Sequence, residues 1–397
     1  MPRILMVTMS RYPNDPRIRR EAETLERNGL SVDIICLRAA GEKNVERMGK
    51  ITVYRRFRES DKESILRYFW QSTIYMVWTF FLTQKLYFRQ RYDLIQIHNM
   101  PDHLIFVGII QKLLGVPIIL DLHDLTVELF ESKWNDAGPN LLRCLVRFGE
   151  SISCKFADHL ITTSMGFKNK LIERGVDPNK ITLVLNSADE HIFQNASDRR
   201  FRKIEEGAKL LYHGTVAGRF GLEVAIDAVA RLQDVIPNTT LYVYGKYDPS
   251  YRRQLEARIA KLNLSHRIVF GDWLSLEEVS QAINQADMGI VPYESDAFMN
   301  LALSTKTFEY VAMQLPVVAA RLPSLKVIFD ENCMRYFEPG NVQDFVDSIV
   351  QFCLNPELRQ NCVQCASEAY KSISWPIMAK RYVNLISAHS TGRNGKN

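Results

Sequence analysis

The chain has 397 residues, 46% of them hydrophobic and 24% charged, with a formal net charge of +5 at pH 7. That composition excludes a disordered chain, and the length exceeds the ~250–300 residues that one core organises, so two domains are expected. Residues 1–200 hold 29 Lys and Arg against 24 Asp and Glu, while the remainder holds 21 of each. An excess this small argues against nucleic acid as the main partner and points to an anionic surface or substrate for the first half. Seven scattered cysteines do not make a disulfide framework. Cys362 and Cys365, a C-x-x-C in a helical run, read as structural filler in a reducing compartment. Residues 1–10 run straight into a strand with no apolar leader segment, so no signal peptide and a cytoplasmic location are expected.

Ile4–Thr8 is an apolar strand, and Val32–Cys36 is the next. Between them Asp15 as N-cap and Pro16 at the first helical position start a helix that carries Ile18, Ala22 and Leu25 and ends at Asn28–Gly29. This β-α-β beginning makes a parallel sheet with covering helices the default. The loop Met9–Asp15 lies where such folds place ligands, yet it lacks G-x-G-x-x-G, so NAD and FAD are not expected. Arg17, Arg19 and Arg20 could meet a phosphate or an acidic acceptor, or simply form a solvated helix face.

Ile65–Phe88 is unusual. No charge occurs from Tyr68 to Gln84, nine aromatic residues including Trp70, Trp78 and Phe81 crowd the segment, and Arg55, Arg56, Arg58, Lys62, Arg67, Lys85, Arg89 and Arg91 flank it. The run is too short and too interrupted by Gln71, Ser72, Thr73 and Thr79 to span a bilayer, which needs ~20 apolar residues. It fits a helix lying in a membrane interface, with a core helix turning its aromatics inward as the alternative.

Leu94–His98 is a strand, and Asp102 is the expected N-cap of a helix running to Leu114. Val116–Leu120 leads into Asp121-Leu122-His123-Asp124. Two strands thus deliver His98 and His123 to their carboxyl ends, with Asp124 alongside. Apolar runs at Leu160–Thr163 and Ile181–Val184 continue the alternation. The polar stretch Asn186–Arg202 reads as the interdomain connection.

A second alternation follows, with strands at Lys209–His213, Thr240–Tyr244, Ile268–Phe270, Gly289–Pro292 and Val317–Ala319. Helices are expected at Leu222–Leu232, Pro249–Leu262 and Leu276–Ala286. Gly214–Gly221 is a glycine-rich strand-to-helix loop whose amides could approach a phosphate, with Arg219 as counter-charge. Ser304–Ala320 reads as a short helix stopped by Pro316 and a buried strand. Ser304 as N-cap would leave the amides of Thr305, Lys306 and Thr307 for an anion, with the Lys306 ammonium beside them and Glu309 one turn on for hydroxyls. That chemistry suits a sugar nucleotide. Trp375–Ile386 is a last amphipathic helix before a polar tail.

Four stretches in this order resemble the family 4 (group 1) glycosyltransferases. They are YPNDPRIRREAETLERNG near the start, LDLHD at 120–124, HGTVAGRFGL at 213–222 and KTFEYVAMQLPVVA at 306–319. The resemblance implies the GT-B architecture, an α/β fold of two Rossmann-like parallel-sheet domains facing a cleft. An acceptor-side domain would span residues 1–190 and a nucleotide-sugar domain 191–374. A helix at 375–387 would cross back to the first domain, and 388–397 would be a disordered tail. It further implies a retaining enzyme that uses a nucleotide-sugar donor, takes no cofactor and needs no metal, in agreement with the absence of D-x-D. His123 would lie by the reacting sugar and acceptor, Glu309 would bind the ribose, and Arg219 the diphosphate.

Four stretches depart from the family pattern, one of them the Pro13–Pro16 loop that stands in place of a Gly-Gly turn after the first strand. Leu301 stands where a second glutamate is common, Ala302-Leu303-Ser304 replaces Gly-Phe-Gly, and Phe220 replaces a lysine. Lys306 would then supply the missing charge. An interfacial enzyme with a cytoplasmic donor would glycosylate a lipid-linked glycan in envelope polysaccharide synthesis, peripheral on the inner face of the cell membrane. The rival readings are a sugar-nucleotide epimerase of the same architecture and a non-catalytic nucleotide-sugar-binding partner subunit.

Overall fold

The computed structural model describes residues 2–58, 65–134, 140–194, 201 and 203–390. It divides into two compact units, Met1–Leu185 with Pro376–Asn397, and Asn186–Trp375. Residues 195–200 and 202 of the expected connection Asn186–Arg202, together with Lys62 and residues 391–397, lie outside the described residues.

The first unit is built on β1 (Arg3–Arg11), β2 (Ser31–Arg38), β3 (Val45–Met48), β4 (Ile51–Arg58), β5 (Leu94–His98), β6 (Ile118–Leu122), β7 (His159–Thr162) and β8 (Ile181–Leu183). Their order across the sheet is β3-β4-β2-β1-β5-β6-β7-β8, parallel except for the β3–β4 hairpin. The second unit carries β9 (Lys209–His213), β10 (Thr240–Tyr244), β11 (Ile268–Gly271), β12 (Met288–Val291), β13 (Val317–Ala320) and β14 (Arg335–Phe337). These run parallel in the order β11-β10-β9-β12-β13-β14. Without the β3 hairpin strand, both sheets reverse direction between their first and fourth strands. Such a switch point opens a crevice at the strands' carboxyl ends and is where doubly wound folds bind ligands.

The strands are continuous apolar runs because helices cover both faces, as in β6 (IILDL) and β13 (VVAA), where every residue is buried. Asp15 caps the first helix, Pro16–Arg27, accepting from the amides of Arg17 and Ile18. The segment after β5 differs from expectation. It opens as a 3-10 helix, Asp102–Gly108, with Pro101 and not Asp102 as N-cap, and only Ile109–Leu113 is α-helical. Asp102 instead accepts from Asn99 Nδ2 at 3.0 Å.

The last helix, Trp375–Ser390, runs past the expected end at 387. Its residues from Pro376 onward belong to the first unit, where Tyr382 donates to Gln96 Oε1 at 2.5 Å and Arg381 to the Leu183 carbonyl at 2.9 Å. Cys365 is not filler: it is bonded to Cys333.

Candidate active site

In the second unit the chemistry gathers at the switch point between β9 and β12. The loop after β9 is held flat against the loop after β10 by Gly214 N–H to the Tyr244 carbonyl and Val216 N–H to the Lys246 carbonyl, both at 2.9 Å. Gly245 makes this possible, since a Cβ there would sit 1.7 Å from the Gly214 oxygen. Gly221 closes the loop at φ +61, and a Cβ there would meet the Pro292 carbonyl oxygen at 1.9 Å, so the loops after β9 and β12 touch backbone to backbone.

Into this corner the helix Thr305–Ala312 brings Lys306, only 6% exposed. The helix is buried nearly all round, Thr307, Phe308 and Tyr310 being inaccessible. The Lys306 ammonium donates to the Tyr293 hydroxyl and lies over three rings, Tyr212 at 4.4 Å, Tyr293 at 4.6 Å and Phe220 at 5.3 Å. Cation–π attraction and one hydroxyl hold the charge in place. A Cβ on Gly214 would sit 3.5 Å from the same nitrogen, so the glycine leaves that side of Lys306 open to the loop backbone. Ser304 occupies the N-cap position, but its hydroxyl lies 3.0 Å from Tyr293 Oη rather than capping the helix. The Thr307 amide is taken by the Ser304 carbonyl at 3.2 Å, which removes one of the three amides expected to meet an anion.

One turn on, Glu309 Oε2 lies 3.2 Å from His213 Nε2 at the end of β9. Burial and the Lys306 charge push the His213 imidazole down to about 3, so it is neutral beside the carboxylate. Arg219, half-buried, lies with its guanidinium 5.7 Å from the Phe298 ring. Thr305 is exposed at the helix start.

In the first unit His98, Asp121 and His123 converge at the carboxyl ends of β5 and β6. His98 Nδ1 is 3.0 Å from His123 Nε2, and Asp121 Oδ2 lies 3.4 Å from the first and 3.7 Å from the second. Arg17 grips both oxygens of Asp121 at 2.9 and 3.1 Å and reaches Glu21 at 3.1 Å. Arg17 is therefore neither a solvated helix face nor a presented phosphate ligand. It is buried, because it compensates two buried carboxylates.

Burial opposes the ionised form of Asp121, yet Arg17 and His123 hold it well below the usual carboxylate range. Glu21 takes the opposite course. Burial, and then the neighbouring Asp121 charge, raise it in spite of Arg17. Burial likewise lowers His98, whereas for His123 the pull of Asp121 outweighs burial and raises it. His123 is the exposed end of this network, with 19% of its side chain accessible, while His98 is sealed. Asp124 contributes through its carbonyl, which accepts from Asn99 Nδ2 at 2.7 Å.

His98, Asp121 and His123 lie close enough together to offer three ligand atoms to a metal ion. Both oxygens of Asp121, however, already face the Arg17 guanidinium, and Gln96 donates to one of them at 3.3 Å. The set fits a proton-sharing network better than a cation site. Sequence reasoning missed His213, Tyr293, Asp121 and Glu21. The signal for His213 and Asp121 was present, since each ends or nearly ends a strand inside a quoted motif. Tyr293 and Glu21 carried none.

Residues 17–191 match the Glycosyltransferase Family 4 profile, and residues 207–355 match that of the Glycosyl transferases group 1. A sulfoquinovosyl transferase of Arabidopsis thaliana is 25% identical over 70% of this chain, which spans 53% of that protein's length. An uncharacterised glycosyltransferase of Methanocaldococcus jannaschii is 23% identical over 98% of this chain and 100% of its own. Among solved structures, Anabaena HepE in complex with UDP and glucose superimposes with a TM-score of 0.72 at 16% identity, covering 98% of this chain and 100% of that one. With its two doubly wound sheets and both halves matched, the chain belongs to the family 4, group 1 glycosyltransferases of GT-B architecture.

Proposed function

We propose that this chain is a retaining, metal-independent glycosyltransferase that moves a sugar from a nucleotide-sugar donor to a lipid-linked glycan in envelope polysaccharide synthesis, working at the cytoplasmic face of the membrane. The observation that carries the donor side is the Lys306 ammonium. It is buried against Gly214 in a cage of rings and one hydroxyl. A charge buried there at a cost in desolvation is explained if an anion completes its coordination. In this reading Gly214, Ser304, Thr305 and Lys306 receive the diphosphate and Arg219 adds a second positive charge. Glu309, whose Oε2 lies 3.2 Å from His213, takes the ribose hydroxyls.

When the bond from the anomeric carbon to the diphosphate breaks, negative charge grows on the leaving oxygen. Preset cations stabilise that charge without having to reorganise. His123, raised by Asp121, sits by the reacting sugar and the acceptor, and His98 and Arg17 hold its position. Support for the metal-independent reading comes from Asp121, whose charge Arg17 already balances. HepE was solved with UDP and glucose, which makes UDP the first nucleotide to test.

The deciding experiment incubates the protein with UDP-, GDP- and dTDP-sugars and a lipid-linked acceptor, with and without EDTA. Expected are acceptor-dependent release of nucleoside diphosphate, unchanged by EDTA, and a product that keeps the donor's anomeric configuration by NMR. Conversion of the donor sugar without nucleotide release would make the chain an epimerase. Binding with no turnover would make it a partner subunit.

A further inference from the structure

The helix Ile65–Arg89 is turned inside out. A helix lying on a sheet normally buries its apolar stripe and exposes its polar one. Here Ser72, Thr79 and Thr83 are fully buried, while Trp70, Ile74, Val77, Phe81 and Phe88 are exposed, the three aromatics at 63%, 65% and 66%. At 3.6 residues per turn these five residues fall within an arc of about 60°, so they form one straight stripe along the outer side. Tyr75 and Tyr87 face inward and anchor the helix, Tyr75 donating to the Thr8 carbonyl at 2.5 Å. Gln84 bonds the Val107 carbonyl at 3.3 Å and Gln111 at 2.8 Å. The stripe is thus fixed outward by the bonds made behind it.

The charge pattern identifies what covers the stripe. The helix holds no Asp or Glu, and its basic residues Arg67, Lys85 and Arg89 are all exposed. On the same projection they lie along one flank of the stripe, within about 100° of its centre. Arg91 follows the helix, its guanidinium stacked 4.8 Å over Tyr87 and 5.9 Å over Phe88. Among the described residues no helix is long and apolar enough to cross a membrane. Outward aromatics with cations at one border match the acyl–headgroup boundary of an anionic bilayer, where rings enter the apolar layer and Lys and Arg stay at the phosphates.

We propose that the Trp70–Phe88 stripe is the surface by which the first unit docks on an anionic lipid bilayer, with Arg67, Lys85 and Arg89 reading the headgroup charge. It specifies the face behind the membrane association proposed above, but stands without the transfer reaction.

The test is cosedimentation of the full chain with phosphatidylcholine–phosphatidylglycerol vesicles and with phosphatidylcholine vesicles alone. The wild type should pellet with the anionic vesicles and be released by salt. Trp70→Ser/Phe81→Ser/Phe88→Ser should lower partitioning by at least about tenfold, since each ring gives up its apolar burial. Its melting temperature should be unchanged, because all three rings are exposed in the free protein. Lys85→Glu/Arg89→Glu reverses the charge at two positions without touching the stripe, and should weaken binding to anionic vesicles several-fold while sparing what binding phosphatidylcholine retains. Three outcomes overturn the proposal: a wild type that stays in solution with every vesicle, equal pelleting of wild type and aromatic variant, or a wild-type dimer that the aromatic variant dissociates with no vesicle binding. Because no donor is used, failure here leaves the transfer reaction untouched, and the donor panel can fail without bearing on the stripe.

Discussion

Replacing Lys306 with Met keeps a long apolar stem and removes the ammonium, so it separates two roles the lysine could have. If the charge serves only the fold, its loss costs the bond to Tyr293 and attraction to three rings, ~0.5–2 kcal/mol for each ring contact. Against that stands the desolvation of a buried ammonium, which the substitution relieves. The free protein should therefore melt within a few degrees of the wild type. If the charge serves the diphosphate, a phosphate about 4 Å from the ammonium loses up to ~4 kcal/mol at an effective dielectric of ~20. Allowing for partial compensation by Arg219, the loss becomes ~2–4 kcal/mol, or roughly 30- to 1000-fold in affinity. Calorimetric titration of UDP into both proteins measures this directly. Lys306→Met should bind UDP at least about 30-fold more weakly while uridine, which lacks the diphosphate, binds both alike. A UDP affinity within threefold of wild type, about 0.65 kcal/mol, would refute the reasoning and leave Lys306 as a core residue.

The remaining expectations concern the same corner. Gly245→Ala places a methyl group 1.7 Å from the Gly214 oxygen, so the loop after β9 must move. It should cost the second unit ~2 kcal/mol or more in denaturant unfolding and weaken UDP binding together with stability, whereas Lys306→Met affects binding alone. His213, held at about 3 against an ordinary 6.5, gives a pH signature. Its folded-state value is depressed, so the unfolded chain takes the proton first. The associated stability is present above pH 6.5 and is lost as pH falls toward 3. His213→Gln should flatten that part of the unfolding profile, and bound UDP should raise the His213 titration in NMR by offsetting Lys306. A profile unchanged in His213→Gln would show that the imidazole is not held neutral.

Much of this arrangement was readable because parallel strands and their helices write clear periodicities. Lys209–His213, Thr240–Tyr244 and Leu222–Leu232 appear with the boundaries expected of them. What the sequence hid follows from context. The β3–β4 hairpin is rich in Arg and lies at the sheet edge, where apolar runs are not required, and β14 has only three residues. The Thr305–Ala312 helix ends before Pro316, because Gln314 turns left-handed at φ +55 and Leu315 N–H returns to the Tyr310 carbonyl at 2.9 Å. That closure is usually made by glycine, so glutamine concealed it.

At the site, strand ends pointed to His98 and His123 and the family motif to Lys306 and Glu309. Burial reversed the expectation for Arg17, whose partners Glu21 and Asp121 lie 4 and 104 residues away along the chain. For Ile65–Phe88 composition alone left two readings open, because which face turns inward depends on tertiary packing.

The return of the last helix to the first unit sets an order of assembly. Tyr382 and Arg381 complete contacts with Gln96 and Leu183 that are made only after the whole of Asn186–Trp375 has been synthesised. At about 5–20 residues per second that interval is ~10–40 s, during which the first unit stands without its last helix. Until then Gln96, wedged between Glu21, Asp121 and the future site of Tyr382, lacks the donor that fixes its amide. The histidine network of the first unit is therefore completed only after the residues of the second unit have been made.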